Sequence, residues 1–132
     1  MSAFIIENII PSSRRLEFIS TRGDSLVVNL IGDCCSLSYF DPASCLDVES
    51  LMGETLMDIE SNETRSERDV DGAEKRIHYA LIVRTDKQSV SLMWRNDSNG
   101  YYSGWTEIQV NGVEVNRYDG STVAQALVAV TS

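Results

Sequence analysis

A chain of 132 residues with 42% hydrophobic and 23% charged side chains fits one globular domain spanning 1–132, and this composition excludes a disordered or fibrous protein. Twenty acids against eleven bases leave a net charge of −9, which repels nucleic-acid phosphates and argues against direct nucleic-acid binding. No apolar run reaches the ~20 residues that span a bilayer, and residues 1–7 lack a basic segment ahead of an apolar one, so the expectation is a cytoplasmic protein without membrane contact.

The first periodic signal is the alternation of Leu16 and Phe18, then Leu26, Val28 and Leu30, around Thr21-Arg22-Gly23-Asp24. It predicts two half-buried strands joined by a tight turn. Next, Gly32-Asp33-Cys34-Cys35-Ser36 forms a polar loop at a strand end. Three cysteines, Cys34, Cys35 and Cys45, are an odd count and argue against a secreted disulfide framework.

From 41–64 the chain carries seven carboxylates, Asp41, Asp47, Glu49, Glu54, Asp58, Glu60 and Glu63, and no Lys or Arg. Two readings compete: a solvated face that keeps the protein soluble, or a patch that docks on a basic partner. Residues 47–52 have the makings of one short helical turn ending at Gly53, and 55–60 read as a strand. Residues 61–76 mix charges without apolar periodicity, which predicts a mobile surface loop.

A second hairpin is predicted over 78–95, with its turn at Thr85-Asp86-Lys87-Gln88 and with Val90, Leu92 and Trp94 on one face. At an offset of 64 it repeats the first, placing Thr21 over Thr85, Ser25 over Ser89 and Asp33 over Asp97, the pattern of an internal duplication. A polar loop follows here too, Arg95-Asn96-Asp97-Ser98-Asn99-Gly100, and leads into Tyr101, Tyr102 and Trp105. Asn111-Gly112 between apolar pairs signals a type I′ hairpin. After Asp119-Gly120, Ser121 can cap a short helix that presents Ala124, Leu127, Val128 and Ala129 on one face. The predicted fold is α+β, mainly antiparallel β-sheet built from hairpins, with one helical turn mid-chain and a short C-terminal helix.

For catalysis, Cys34 or Cys35 with His78 is the available thiol–imidazole combination, but His78 opens an apolar strand and reads as a structural residue. No phosphate-cradling glycine loop, paired-histidine motif or Gly-x-Ser-x-Gly elbow occurs. The acids leave a paired-carboxylate hydrolase open. With one histidine, a four-ligand zinc site would need carboxylates to complete it. The expectation is a non-enzyme with no cofactor and no metal. The binding candidates are the seven acids above and the loop residues Asp33, Arg95, Asn96, Asn99, Tyr101, Tyr102 and Trp105, because rings with polar tips suit contact surfaces.

Residues 32–36 with Tyr39-Phe40, together with 95–104, resemble an uncharacterised family of small proteins from tailed-phage genomes. That family pairs Gly-Asp-Cys-Cys-Ser with a later Arg-Asn-x-Ser-Asn-Gly-Tyr-Tyr-Gly-Gly. Leu51-Met52-Gly53-Glu54-Thr55-Leu56 is similar to its Leu-x-Gly-x-x-Ile step into a strand. The resemblance covers about residues 16–105; Ser103 stands where the family has glycine, and 110–132 has no counterpart. It implies phage origin and supplies no activity.

The leading expectation is therefore a non-enzymatic phage accessory protein that acts by binding a host protein with a basic surface. An anti-CRISPR-like inhibitor, whose acidic surface occupies the basic channel of a defence effector, is the most concrete form. One alternative is a sponge for a nucleotide signal, in a pocket of Arg95, Asn96, Asn99, Tyr101 and Trp105. The other is a phage structural or assembly protein, a homo-oligomer that pairs edge strands between chains.

Overall fold

The computed structural model describes residues 3–33, 35–100, 103–115 and 122–131. In chain order it gives β1 (Ile6–Pro11), β2 (Arg15–Ser20), β3 (Ser25–Gly32), β4 (Leu37–Phe40), a 3₁₀ segment (Pro42–Leu51), β5 (Leu56–Val70), β6 (Ala73–Thr85), β7 (Ser89–Ser98), β8 (Gly104–Val110), β9 (Val113–Glu114) and α1 (Val123–Thr131). All strand pairs are antiparallel. The fold is α+β, dominated by sheet, and among the described residues no helix is long and apolar enough to cross a membrane.

Period-two burial drives the architecture. Leu16, Phe18, Leu26, Val28 and Leu30 line the inner face of one sheet, ordered β1-β2-β3-β8-β9. Ile77, Leu81, Val83, Leu92 and Trp94 line that of the other, ordered β4-β7-β6-β5. The two apolar faces meet in one core.

One plan is executed twice. β1-β2-β3 is completed by β8, and β5-β6-β7 is completed by β4, so the fourth strand of each half lies in the sheet of the other. Matching details recur. The Ile6 amide donates to the Glu54 carbonyl (2.9 Å) and the Leu56 amide to the Phe4 carbonyl (2.8 Å), on either side of an Ile5–Thr55 bridge. Each first strand has a bulge there, at Asn8 and at Asp58, and each of these side chains accepts the next residue's amide at 2.9 Å. Asn8 and Asp58 stand 50 apart, while Thr21 and Thr85 stand 64 apart. The difference is extra length in the β5–β6 hairpin.

That hairpin corrects the expectation for 61–76, which are strand and not loop, paired from Leu56↔Thr85 to Val70↔Ala73. The turn is Asp71-Gly72 with φ of 47° and 85°, the type I′ geometry that Asp-Gly favours. Apolar alternation is missing because β5 is an edge strand whose far half is solvated and charged, which protects it from pairing with other chains.

The mid-chain turn is also longer than expected. Asp41 accepts the Ala43 amide at 3.1 Å and Pro42 opens the segment, so it begins before 47. Asn111-Gly112 forms the expected hairpin turn, with φ of 51° and 80°. Ser121, the expected helix cap, lies outside the described residues. Thr122 supplies a capping box: its Oγ1 accepts the Gln125 amide (3.2 Å), and the Gln125 side chain accepts the Thr122 amide (2.9 Å). The buried helix face is Val123, Leu127 and Thr131, so Val128 is exposed, contrary to expectation. Thr122→Ala is expected to cost about 1 kcal/mol, read as a lower urea midpoint at unchanged slope.

Candidate functional site

The paired polar loops fall where the two halves exchange strands. Gly32 and Gly104 are register partners at the end of β3 and β8, and Ser38 and Asn96 are partners across β4 and β7. A Cβ on Gly32 would lie 2.7 Å from Ser36 Oγ and 3.2 Å from Asn96 Nδ2. Asn96 is fully buried; its Nδ2 donates to Ser36 Oγ (3.1 Å) and Ser38 Oγ (3.0 Å). Both hydroxyls spend their own protons on backbone carbonyls, of Asp33 (2.9 Å) and Ile31 (2.8 Å), and this fixes the orientation of the amide. Its Oδ1 is buried without a partner among the described residues. Asn96 is therefore a latch inside the protein and not the contact residue expected from sequence.

The residues next to the latch in sequence, Cys35 and Asp97 to Asn99, line a polar cleft of about 380 Å³ together with Asp71, Gly72, Ala73 and Glu74. Both motif loops and the β5–β6 turn meet there. Cys35 is exposed with φ 73°, and burial pushes the thiol of Cys45 up. Among the described residues no group of His, Cys, Asp and Glu is arranged to hold a metal ion.

Beside the cleft, the outer face of the second sheet carries a ladder of paired charges. Arg76 is 7% exposed, and its guanidinium donates to both oxygens of Asp97 (2.7 and 3.1 Å) and to Asp71 (3.2 Å). The Tyr39 hydroxyl donates to Asp97 at 2.8 Å. Burial alone would raise the Asp97 carboxyl, but Arg76 and Tyr39 outweigh it and hold the group below its usual value. Burial, then the bond to Asp97, pushes Tyr39 up. One rung away, His78 Nε2 meets Glu67 Oε2 at 2.8 Å, and this bond holds the Glu67 carboxyl low. His78 is thus engaged, and it is not among the residues lining the cleft with Cys35.

The acidic stretch disperses. Asp41 pairs with Arg95 (3.2 Å) and Glu60 with Arg84 (2.7 Å). Glu54 accepts from Thr85 Oγ1 (2.6 Å) and Gln88 Nε2 (2.8 Å), and Asp58 caps its bulge. Asp47 and Glu49 on the 3₁₀ segment and Glu63 on β5 are exposed and make no ion pair among the described residues. A sequence run free of Lys and Arg is therefore partly neutralised by cations from β6 and β7.

The loop candidates also separate. Asn99 is exposed in the lining of the cleft, and Asp33 is exposed just past the end of β3. Arg95 is half-buried on the outer face of sheet two, whereas Trp105 is half-buried on the outer face of sheet one, opposite Ile31. Tyr101 and Tyr102 lie outside the described residues. Sequence reasoning missed Arg76, Glu67, Asp71 and Glu74; the signal that could have found them is the Asp71-Gly72 dipeptide, which extends the hairpin and puts Arg76 and His78 on one face.

Residues 4–108 match the model of a domain of unknown function, DUF7448, and the chain belongs to that family. No curated protein and no solved structure shows a match.

Proposed function

We propose that the chain is a phage-encoded accessory protein that acts by binding, an inhibitor that sets its acidic surface into the basic, nucleic-acid-binding channel of a host defence effector. The observation that carries this reading is the charge left over after folding. On sheet two Glu60, Glu67 and Asp97 are paired with arginines, while Asp47 and Glu49 on the 3₁₀ segment and Glu63 on β5 remain solvated and without an ion pair among the described residues. Such charges steer a basic partner from a distance and set the on-rate. The sponge reading finds less support, since Asn96 points inward and Arg95 and Trp105 occupy opposite sheets. The assembly reading meets an edge strand, β5, that is charged and bulged against pairing.

The test uses purified nucleic-acid-binding effectors from phage-defence systems, each loaded with a fluorescent duplex. Displacement of the duplex by the protein, weakening as salt rises from about 50 to 300 mM, is the expected result. Asp47→Lys with Glu49→Lys is expected to slow association roughly tenfold with little change in dissociation. Duplex retention by every effector at saturating protein would overturn the proposal.

A further inference from the structure

The 3₁₀ segment, Pro42–Leu51, runs for 10 residues in a conformation that rarely exceeds ~3–4. Its cap and the neighbouring β6–β7 hairpin hold it in place. Asp41 accepts the Ala43 amide (3.1 Å), Ser44 Oγ accepts the Met93 amide (2.8 Å), the Ser50 carbonyl accepts from Gln88 Nε2 (3.3 Å), and Val48 and Leu51 are buried in the core. Whatever the segment presents to solvent is therefore presented in a fixed position, which lowers the ordering cost of a contact made there.

Three residues per turn arrange its side chains in rows three apart. One row runs inward: Val48 and Leu51 lie in the core, and Pro42 and Cys45 line a pocket of about 250 Å³ whose remaining lining is Pro11, Ser12, Ser13 and Phe40. That volume falls below the ~300–1,000 Å³ of pockets that enclose a small-molecule ligand, and it suits a single large side chain. The next row, Ala43, Leu46 and Glu49, is exposed at every position. Leu46, at 77%, is the most exposed large apolar side chain among the described residues. An exposed leucine alone is ordinary; here it stands on a braced segment, next in sequence to a wall of an apolar hollow.

Charge on this element is one-sided. Asp47 adjoins Leu46 and Glu49 follows it by one turn, both exposed and without an ion pair among the described residues, and no Lys or Arg occurs between 41 and 64. The β1–β2 turn that supplies Ser12 and Ser13 carries Arg14 instead. A partner surface complementary to the segment has a hollow for Leu46 with Lys or Arg beside it; an acidic surface would meet Asp47 and Glu49 with like charge.

We infer that the 3₁₀ segment is the docking element of the protein, with Leu46 as a knob for an apolar hollow among the basic residues of a partner protein and the Pro11–Pro42–Cys45 pocket as the socket for an apolar side chain in return. The inference rests on the binding role proposed above and names the contact that holds the partner. Asp47 and Glu49 act in approach and Leu46 in retention.

The test needs no identified partner. The probe is a short alternating lysine–leucine peptide, which presents basic and apolar side chains together, and poly-lysine of the same length is the charge-only control. Two thiols report where the peptide sits: Cys45 lines the socket, and Cys35 lines the separate acidic cleft of Asp71 and Glu74. Alkylation at about pH 8, read by mass spectrometry after cleavage before aspartates, resolves them, because Asp41 and Asp47 bracket Cys45. The expected result is saturable binding at about 0.1 M salt, at least tenfold tighter than poly-lysine, with Cys45 alkylated several-fold more slowly and Cys35 unchanged. Leu46→Asp should lose the tenfold preference and Leu46→Met should keep most of it, both with nearly unchanged melts because the side chain is exposed. Equal binding of the two peptides, protection of Cys35 in place of Cys45, or no effect of Leu46→Asp would overturn the docking element and leave the basic-partner reading standing. No saturable binding of either peptide at low salt would overturn both.

Discussion

Gly104→Ala is expected to lower stability by about 3 kcal/mol, near the upper end for overpacking a core. The added Cβ would overlap Ser38 Oγ and lie 2.9 Å from Trp94 Cζ3 and 3.0 Å from the Ile31 carbonyl oxygen. None of these neighbours yields cheaply. Ser38 Oγ is held between the Ile31 carbonyl and the Asn96 amide, and Trp94 is stacked on Tyr79 with ring centroids 3.9 Å apart while its Nε1 donates to Ser61 at 3.0 Å. Gly23→Ala is the control. Gly23 has φ 85° with nothing within 4 Å of an added Cβ, so only backbone strain of about 1 kcal/mol should appear. Chemical denaturation of both variants measures the difference. Adding Ser38→Ala to Gly104→Ala should recover part of the loss, with a coupling above about 1 kcal/mol. Strict additivity would show that the close approach is not what the glycine serves.

The same close approach accounts for a paired motif that is legible in sequence although the buried role of its small residues is not. Gly32, Ser36, Asn96 and Gly104 stand out in sequence because the strand exchange needs small or hydrogen-bonding residues where two chain crossings touch. The same residue types mark ligand loops, and only coordinates separate the two uses. Where burial alternates cleanly, as along Leu16 and Phe18 or Leu92 and Trp94, the sequence announced the strands. It concealed the far half of β5, because an edge strand outside the core has no apolar face to display. It concealed the charge ladder for a related reason. Carboxylates at 41 and 60 find their cations at 95 and 84, and register, not spacing along the chain, brings them together.

The second large effect is expected at Arg76. Arg76→Met keeps the apolar stem but strips Asp97 of its two guanidinium bonds, leaving a carboxylate only 22% exposed with the Tyr39 hydroxyl at 2.8 Å. Removing one partner of a fully buried pair costs roughly 3–5 kcal/mol; the partial exposure of Asp97 brings the expectation to about 2 kcal/mol at pH 7. The pH dependence distinguishes an electrostatic role from packing. In the native protein Asp97 titrates below the ordinary value of 3.8, so its ionised form is favoured by folding. That stabilisation is fully present above the ordinary value and is lost as pH falls through the lower folded one. Without Arg76, burial is left to push the carboxyl up, and protonation relieves the variant where it harms the wild type. The stability gap should therefore be widest near pH 6–7 and close progressively below about pH 4, as followed by urea melts across that range. Asp97→Asn added to Arg76→Met should narrow the gap at neutral pH, since an amide can still accept from Tyr39 and carries no charge to strand. A gap of the same size at pH 3 and pH 7 would mean that Arg76 contributes by filling space and that the ladder is not what holds this face together.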